Sequence, residues 1–261
     1  MRERVLYVGG AARSGSTVLG RILAATDGFV WAGELVWLPR DLQEDRVCSC
    51  GASASTCPFW IEVRERLGWD DVALGKHRRA IWRGRHWGWW AGGDGSADVY
   101  EAIAQTSGAT TVVDTSKYAA RAWWVRGASD AQLIWLRQAP DALLSRLTRT
   151  RVSGRSFGLV GALVYALWVD RCWSVLSRQT SVVEVSTHEL YADPEAVLER
   201  LTGISDGHRW SSDQALPMAH ALTGHARAMH DSAWTVSTPA PLGRWARLVA
   251  EWMSRRSAGA S

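Results

Sequence analysis

The residues of this chain best placed to do chemistry fall in a few short clusters. Residues 10–17, GAARSGST, have the spacing Gly-x4-Gly-x-Thr between a β-type run and a helical one. Gly10 and Gly15 let such a loop fold tightly, and the amides at the helix start then point at an anion with the helix dipole behind them. The lysine that an ATPase or kinase places before the threonine is replaced by Ser16, so the usual cation for the β- and γ-phosphates is missing. A different cation, Arg13, stands inside the loop. Asp114, in TTVVD, is the one contender for a magnesium-holding strand end. Glu34 follows a second short strand in WAGEL, and burial near Trp31 or Trp37 would raise its basicity above that of an ordinary carboxylate. Thr17 has a plainer reading as a helix cap, Arg13 as a surface arginine, and Glu34 as a helix-capping or arginine-pairing group.

These groups need elements to position them. RVLYVG (4–9), FVWAG, TTVVD (110–114), AQLIWL (131–136) and SVVEV (181–185) read as short strands. Between them lie helical patterns after the glycine loop, with Val18, Leu19, Ile22 and Leu23 on one face, and at 58–67, 118–126, 141–151, 157–178 and 187–203. Strands alternating with helices predict an α/β fold, a parallel β-sheet flanked by helices with right-handed crossovers. In such sheets ligands sit at the carboxyl ends of the strands, and every cluster above falls at one of those ends.

Composition bounds the rest. With 261 residues, 47% apolar and 21% charged, the chain can bury a real core, which excludes a mainly disordered protein. It is expected to form one domain over 1–261, with a helical, Trp-rich region at about 58–108. No run approaches about 18 uncharged apolar residues, and the first apolar run is too short for a signal core, so a cytoplasmic location without a membrane is expected. Of 30 basic residues only Lys76 and Lys117 are lysines, a bias that codon usage explains and that also suits phosphate or sulfate ligands. No basic block is dense enough for nucleic acid. Three of the four cysteines cluster in CSCGASASTC as Cys48, Cys50 and Cys57. With no fourth cysteine or well-spaced histidine close by, packed thiols or one bridge under oxidation are favoured over a structural zinc.

RSGST after a strand, GEL about twenty residues on, and VDTSK together resemble the sulfotransferases that use 3′-phosphoadenosine 5′-phosphosulfate (PAPS), especially their carbohydrate and tyrosylprotein branches. The resemblance implies a P-loop NTPase-like sulfotransferase fold and supplies roles. Arg13 would hold the bridging oxygen and 5′-phosphate, and Ser14, Gly15, Ser16 and Thr17 would bind that phosphate. Arg137 and Ser145, in IWLRQAPDALLSRL, would share the 3′-phosphate, where a guanidinium fork and a hydroxyl can converge on one group; an ordinary strand–loop–helix is the plainer reading. The family's acidic residue after this arginine is replaced by Gln138. Gly224 and Arg227, then Gly243, Arg244 and Trp245, match segments that close over the nucleotide, although His225 stands where asparagine is usual and Arg244 also reads as a solvated arginine.

By the same resemblance Glu34 is the general base and Lys117 contacts the sulfuryl or bridging oxygens, while Asp114 and Ser116 orient their loop. His77, His86 and His220 are rival bases without matching context. Trp82, Trp87, Trp89 and Trp90 would stack on an acceptor or simply cover the sheet. The implied activity is sulfuryl transfer from PAPS to a hydroxyl of a small-molecule natural product or glycoconjugate, releasing adenosine 3′,5′-bisphosphate, with no metal. The partners expected are that acceptor and, at most, a second copy of the chain in a homodimer. A P-loop phosphotransferase or kinase and a non-catalytic nucleotide-binding protein are the alternatives.

Overall fold

The computed structural model describes residues 4–84, 96–149, 151–152, 155–156, 158–203, 220–223, 250–251 and 253–254, with backbone only at 78–84, 96–97, 128, 151–152 and 155–156. Arg227 and Arg244, with Gly224, His225, Gly243 and Trp245, lie outside these residues, as do His86, Trp87, Trp89 and Trp90; the side chain of Trp82 does too.

The chain runs β1 (Arg4–Gly10), α1 (Ser16–Leu23), β2 (Phe29–Trp31), a 3-10 turn (Leu35–Trp37), α2 (Leu38–Gln43), α3 (Pro58–Leu67), α4 (Asp71–Gly84) and α5 (Ser96–Ser107). It continues with β3 (Thr111–Lys117), α6 (Ala119–Ala128), β4 (Asp130–Arg137), α7 (Pro140–Arg149), the two-residue strands β5 (Arg151–Val152) and β6 (Arg155–Ser156), α8 (Leu159–Ser177), β7 (Val182–Ser186), α9 (Thr187–Ala192) and α10 (Pro194–Thr202). Five strands form one parallel sheet in the order β2-β3-β1-β4-β7.

The expected parallel α/β sheet is therefore what forms, and the side-chain alternation of the strands shows why. Val5 and Tyr7 of β1, Val112 of β3, and Leu133 and Trp135 of β4 enter one core with α3, α5, α6 and α8. Leu6, Val8, Val113, Ile134, Leu136 and Val185 enter the other with α1, α9 and α10. Val5 to Val8 are wholly buried, the signature of a central parallel strand covered on both faces. The predicted face of α1 is buried, and so is the rest of that helix.

Two of the boundaries that differ from the sequence reading bear on the site. β3 continues past Asp114 to Lys117, because the segment after β2 supplies partners: Thr115 N–H donates to Gly33 O at 3.0 Å and Val36 N–H to Ser116 Oγ at 2.9 Å. The helix expected over 141–151 ends at Arg149, where the small β5–β6 pair begins. By length and composition α8 is apolar enough to cross a membrane, with mean hydropathy 1.4, but it carries Asp170 and Arg171 and buries Ala162, Ala166, Trp173 and Leu176 against the domain.

Candidate functional site

Two arms meet at the carboxyl edge of the sheet. The first is the loop from β1 to α1. Gly10 sits at φ 135°, and a Cβ there would lie 2.3 Å from Leu136 O, so the turn admits only glycine. Gly15, at φ 90°, is the N-cap of α1 and gives it no side-chain cap, so the positive end of that helix faces the loop. Arg13 also occupies the left-handed region, at φ 68°. A non-glycine residue is held there only when its surroundings over-determine it.

Those surroundings are a clamp that the sequence reading missed. Tyr165 Oη accepts from Ala12 N–H at 2.9 Å, and Arg146 Nη1 donates to Arg13 O at 3.2 Å. Thr187 Oγ1 lies 3.0 Å from Ser14 O and 2.9 Å from Arg137 O, so one hydroxyl joins the loop to the end of β4. Gln138, with its amide turned to satisfy both of its ends, donates to Arg13 O and accepts from Arg146 Nε, each at 3.2 Å. Gln138, next to Arg137, thus braces the loop. Ser14 Oγ is different: it is fully buried and has no hydrogen-bond partner.

The second arm carries Glu34 and Lys117. Asp114, fully buried, is the organiser. It accepts from Leu35 N–H at 3.3 Å, from Ser116 N–H at 2.9 Å, from the Ser116 hydroxyl, from Tyr100 Oη at 2.7 Å and from Arg121 Nε at 3.3 Å. Its oxygens are committed to this network, which fits the loop-orienting role and not a magnesium ligand. Burial works to lower the Arg121 guanidinium, but Tyr100 and Asp114 outweigh it and hold Arg121 above its ordinary value. Burial also drives the Tyr7 and Tyr100 phenols upward, so they remain neutral donors.

The network sets residues 33–36 against 114–117, and there Lys117 Nζ donates to Glu34 Oε1. Both side chains are mostly buried. Lys117 stands at φ 75°, and Trp173 Nε1 donates to its carbonyl at 3.2 Å. The same indole explains Gly9, where a Cβ would fall 1.6 Å from the ring. The two arms feel each other: burial lowers the Arg13 guanidinium from its usual value, while the charge of Glu34 works to raise it.

The other expected phosphate ligands are placed less simply. Ser145 is buried on α7, one residue before Arg146. Arg137 ends β4 and stacks over Trp135 at 4.5 Å. Its guanidinium is engaged by Glu184 Oε2 at 3.1 Å and by Asp170 Oδ1 at 3.4 Å. A phosphate arriving there would compete with two carboxylates.

Of the rival bases, His77 stacks on Trp69, at 4.6 Å. His220 lies in the cysteine cluster: its Nδ1 is 3.4 Å from Cys57 Sγ and 3.7 Å from Cys48 Sγ. The sequence has no well-spaced histidine close to those cysteines, but the fold brings this one in from 163 residues away. Trp60 and Trp69, in the Trp-rich region, border a concavity of about 430 Å³ with Leu42 and Arg64, which neither the glycine loop, Glu34 nor Lys117 lines.

No family model matches the sequence, and no curated protein matches it. Solved structures do. A sulfotransferase domain from the curacin biosynthetic pathway superposes with TM-score 0.56 at 16% identity, covering 97% of this chain and 98% of that one. A sulfotransferase domain from the olefin synthase of Synechococcus PCC 7002 gives TM-score 0.51 at 17% identity, covering 96% and 94%. What this chain shares with both, over nearly its whole length, is the sulfotransferase fold.

Proposed function

We propose that this chain transfers a sulfuryl group from PAPS to a hydroxyl of a small-molecule acceptor, with Glu34 as the base. The observation that carries the reading is the meeting of an anion loop that holds Arg13 in place of the kinase lysine with the Glu34–Lys117 pair, at one edge of the sheet. The residues fit a 5′-phosphate. Ser14 Oγ is buried without a partner inside the loop, and the uncapped first turn of α1 offers its amides to the same place.

The co-substrate brings the activated sulfuryl group and leaves as adenosine 3′,5′-bisphosphate. The acceptor oxygen forms the new S–O bond as the bond to the bridging oxygen breaks, and Glu34 takes the acceptor's proton. Lys117 holds the Glu34 carboxylate in place and presents its ammonium to the sulfuryl oxygens. Arg13 and the amides of Ser14, Gly15, Ser16 and Thr17 offset the charge that gathers on the leaving phosphate. Arg137 and Ser145 take the 3′-phosphate, and by the sequence resemblance Arg227 and Arg244 are further nucleotide ligands. Arginines and amides carry the charge of the transfer, so this reaction calls on no metal. The similar domains come from a biosynthetic pathway and an olefin synthase, which supports a small-molecule natural-product acceptor.

Calorimetric titration with adenosine 3′,5′-bisphosphate, run beside ATP with magnesium, tests the reading. Low-micromolar bisphosphate binding with little ATP binding is expected. Strong ATP binding without bisphosphate binding would return the loop to the kinase class.

A further inference from the structure

Cys48, Cys50, Cys57 and His220 turn one ligand atom each toward a common point, all four within 4.8 Å of one another. We propose that they bind a single zinc ion in a structural Cys3His site, which fastens residues 220–223 to the segment carrying Glu34. None of these four residues takes part in the proposed sulfuryl transfer.

Three of the six ligand–ligand distances are those of a tetrahedron, and the others lie within 4.8 Å. With Zn–S about 2.3 Å and Zn–N about 2.0–2.1 Å, its S···S edges are about 3.8 Å and its S···N edges about 3.6 Å. Cys50 and Cys57 Sγ are 3.7 Å apart, and His220 Nδ1 lies 3.4 Å and 3.7 Å from Cys57 and Cys48. A disulfide uses two sulfurs at about 2.05 Å and leaves the third thiol and the imidazole unexplained. The cysteines are free thiols here, and three sulfurs with one nitrogen match zinc among common metals.

Backbone amides surround the sulfurs. The backbone N–H of Cys50 is placed to act on Cys48 Sγ, that of Ala52 on Cys50 Sγ and that of Trp60 on Cys57 Sγ. Such outer hydrogen bonds spread the charge of metal-bound sulfurs and fix their direction. The loop is shaped to supply them: Cys48 N–H donates to Ala52 O at 2.8 Å, Gly51 N–H to Cys48 O at 2.9 Å, and Gly51 turns at φ 93°. Cys57 is the N-cap of the ten-residue α3, whose positive end favours an anionic sulfur. Phe59 stacks on the His220 ring at 4.5 Å and 8°, holding Nδ1 toward the sulfurs. Cys48 and Cys57 are wholly buried, and four protein ligands leave no open position, so the site is structural.

Its place gives it a task. Ser49 N–H donates to Ala221 O at 2.8 Å, and Ala221 N–H to Ser49 Oγ at 3.0 Å. Thr223 donates its hydroxyl to buried Asp41 and accepts Glu34 N–H on its carbonyl at 3.2 Å. An ion on His220 therefore sets, three residues on, the strap that bonds the backbone of Glu34. On binding, the three thiols release their protons to solvent.

The test uses the full chain, purified in reductant without chelator, given excess zinc and then gel-filtered. Metal analysis is expected to find one zinc per chain, and cobalt in its place to give the intense visible bands of a tetrahedral thiolate site. Cys50→Ser and His220→Ala should each lose the metal, and His220→Cys should keep it with a shifted cobalt spectrum. Chelation should lower the melting temperature of the wild type but not that of Cys50→Ser. Three results would overturn the proposal: no zinc retained by the reduced protein, zinc retained unchanged in both Cys50→Ser and His220→Ala, or a Cys50–Cys57 disulfide in protein kept from oxidant. None of these readings depends on PAPS.

Discussion

Thr187 is the most economical place to test whether the two phosphate arms act as one site. It opens α9, is 6% exposed, and gives its single hydroxyl hydrogen to two carbonyls, those of Ser14 and Arg137. Thr187→Val keeps the shape and removes the donor. One shared hydrogen bond is worth about 1 kcal/mol net, and stripping a buried carbonyl of its donor costs about 1–3 kcal/mol, so the expected loss of stability is about 1–3 kcal/mol. In a chain of this size that is a fall in melting temperature of roughly 2–10 °C. If about 1 kcal/mol of the lost order must be restored when the ligand binds, bisphosphate affinity falls about fivefold. Urea denaturation and calorimetric titration measure the two effects separately. Thr187→Ser, which keeps the hydroxyl, should lose some stability but bind as the wild type does. Wild-type affinity in a destabilised Thr187→Val would refute the coupling, because the hydroxyl would then support the fold without positioning the loop.

Three further outcomes are expected. Glu34→Gln should bind adenosine 3′,5′-bisphosphate normally and lose about 10²–10⁴-fold in turnover, read from initial rates with PAPS; near-normal turnover would remove Glu34 as the base. Trp173→Phe keeps an aromatic ring over Gly9 but loses the donor to Lys117 O. It should slow turnover several-fold with the nucleotide affinity kept, and equal turnover would show that Lys117 needs no such hold. Asp170→Asn frees Arg137 from one of its two carboxylates. A half-exposed pair of this kind is worth about 0–1 kcal/mol, so bisphosphate should bind up to about fivefold more tightly. Weaker binding would argue against Arg137 as the 3′-phosphate ligand.

The strands and the glycine loop were legible because their signals are local. An apolar run bounded by glycine, as in Val5 to Gly10, specifies a buried strand and the turn after it without reference to the rest of the chain. Glu34 follows β2 and Lys117 ends β3, so both were expected at the carboxyl edge, but nothing local in the sequence sets β2 beside β3 or one side chain against the other. The clamp on the loop was not, because Tyr165, Thr187 and Arg146 are ordinary residues on helices whose partners are backbone carbonyls and amides of another element. His220 was harder still: nothing near CSCGASASTC announces a ligand that only the fold supplies. The glycine pair at residues 9 and 10 held a clue that went unread. Gly10 serves the turn, whereas Gly9 makes room for Trp173, and a doubled glycine before the loop signals a large side chain packed across the strand.

The order of the sheet has a kinetic consequence. Arg4 of β1 pairs with Thr111 of β3 on one side and with Asp130 of β4 on the other, so the central strand is made long before either neighbour. At about 5–20 residues per second, a ribosome takes on the order of 6–25 s to travel from Gly10 to Arg137. Until Lys117 is made the apolar run Val5–Val8 has both hydrogen-bonding edges open, and the β4 edge stays open to the end of that interval; closing loops of this length is slow in its own right. Chains released ahead of Arg137 should therefore accumulate as aggregates and not as a folded half.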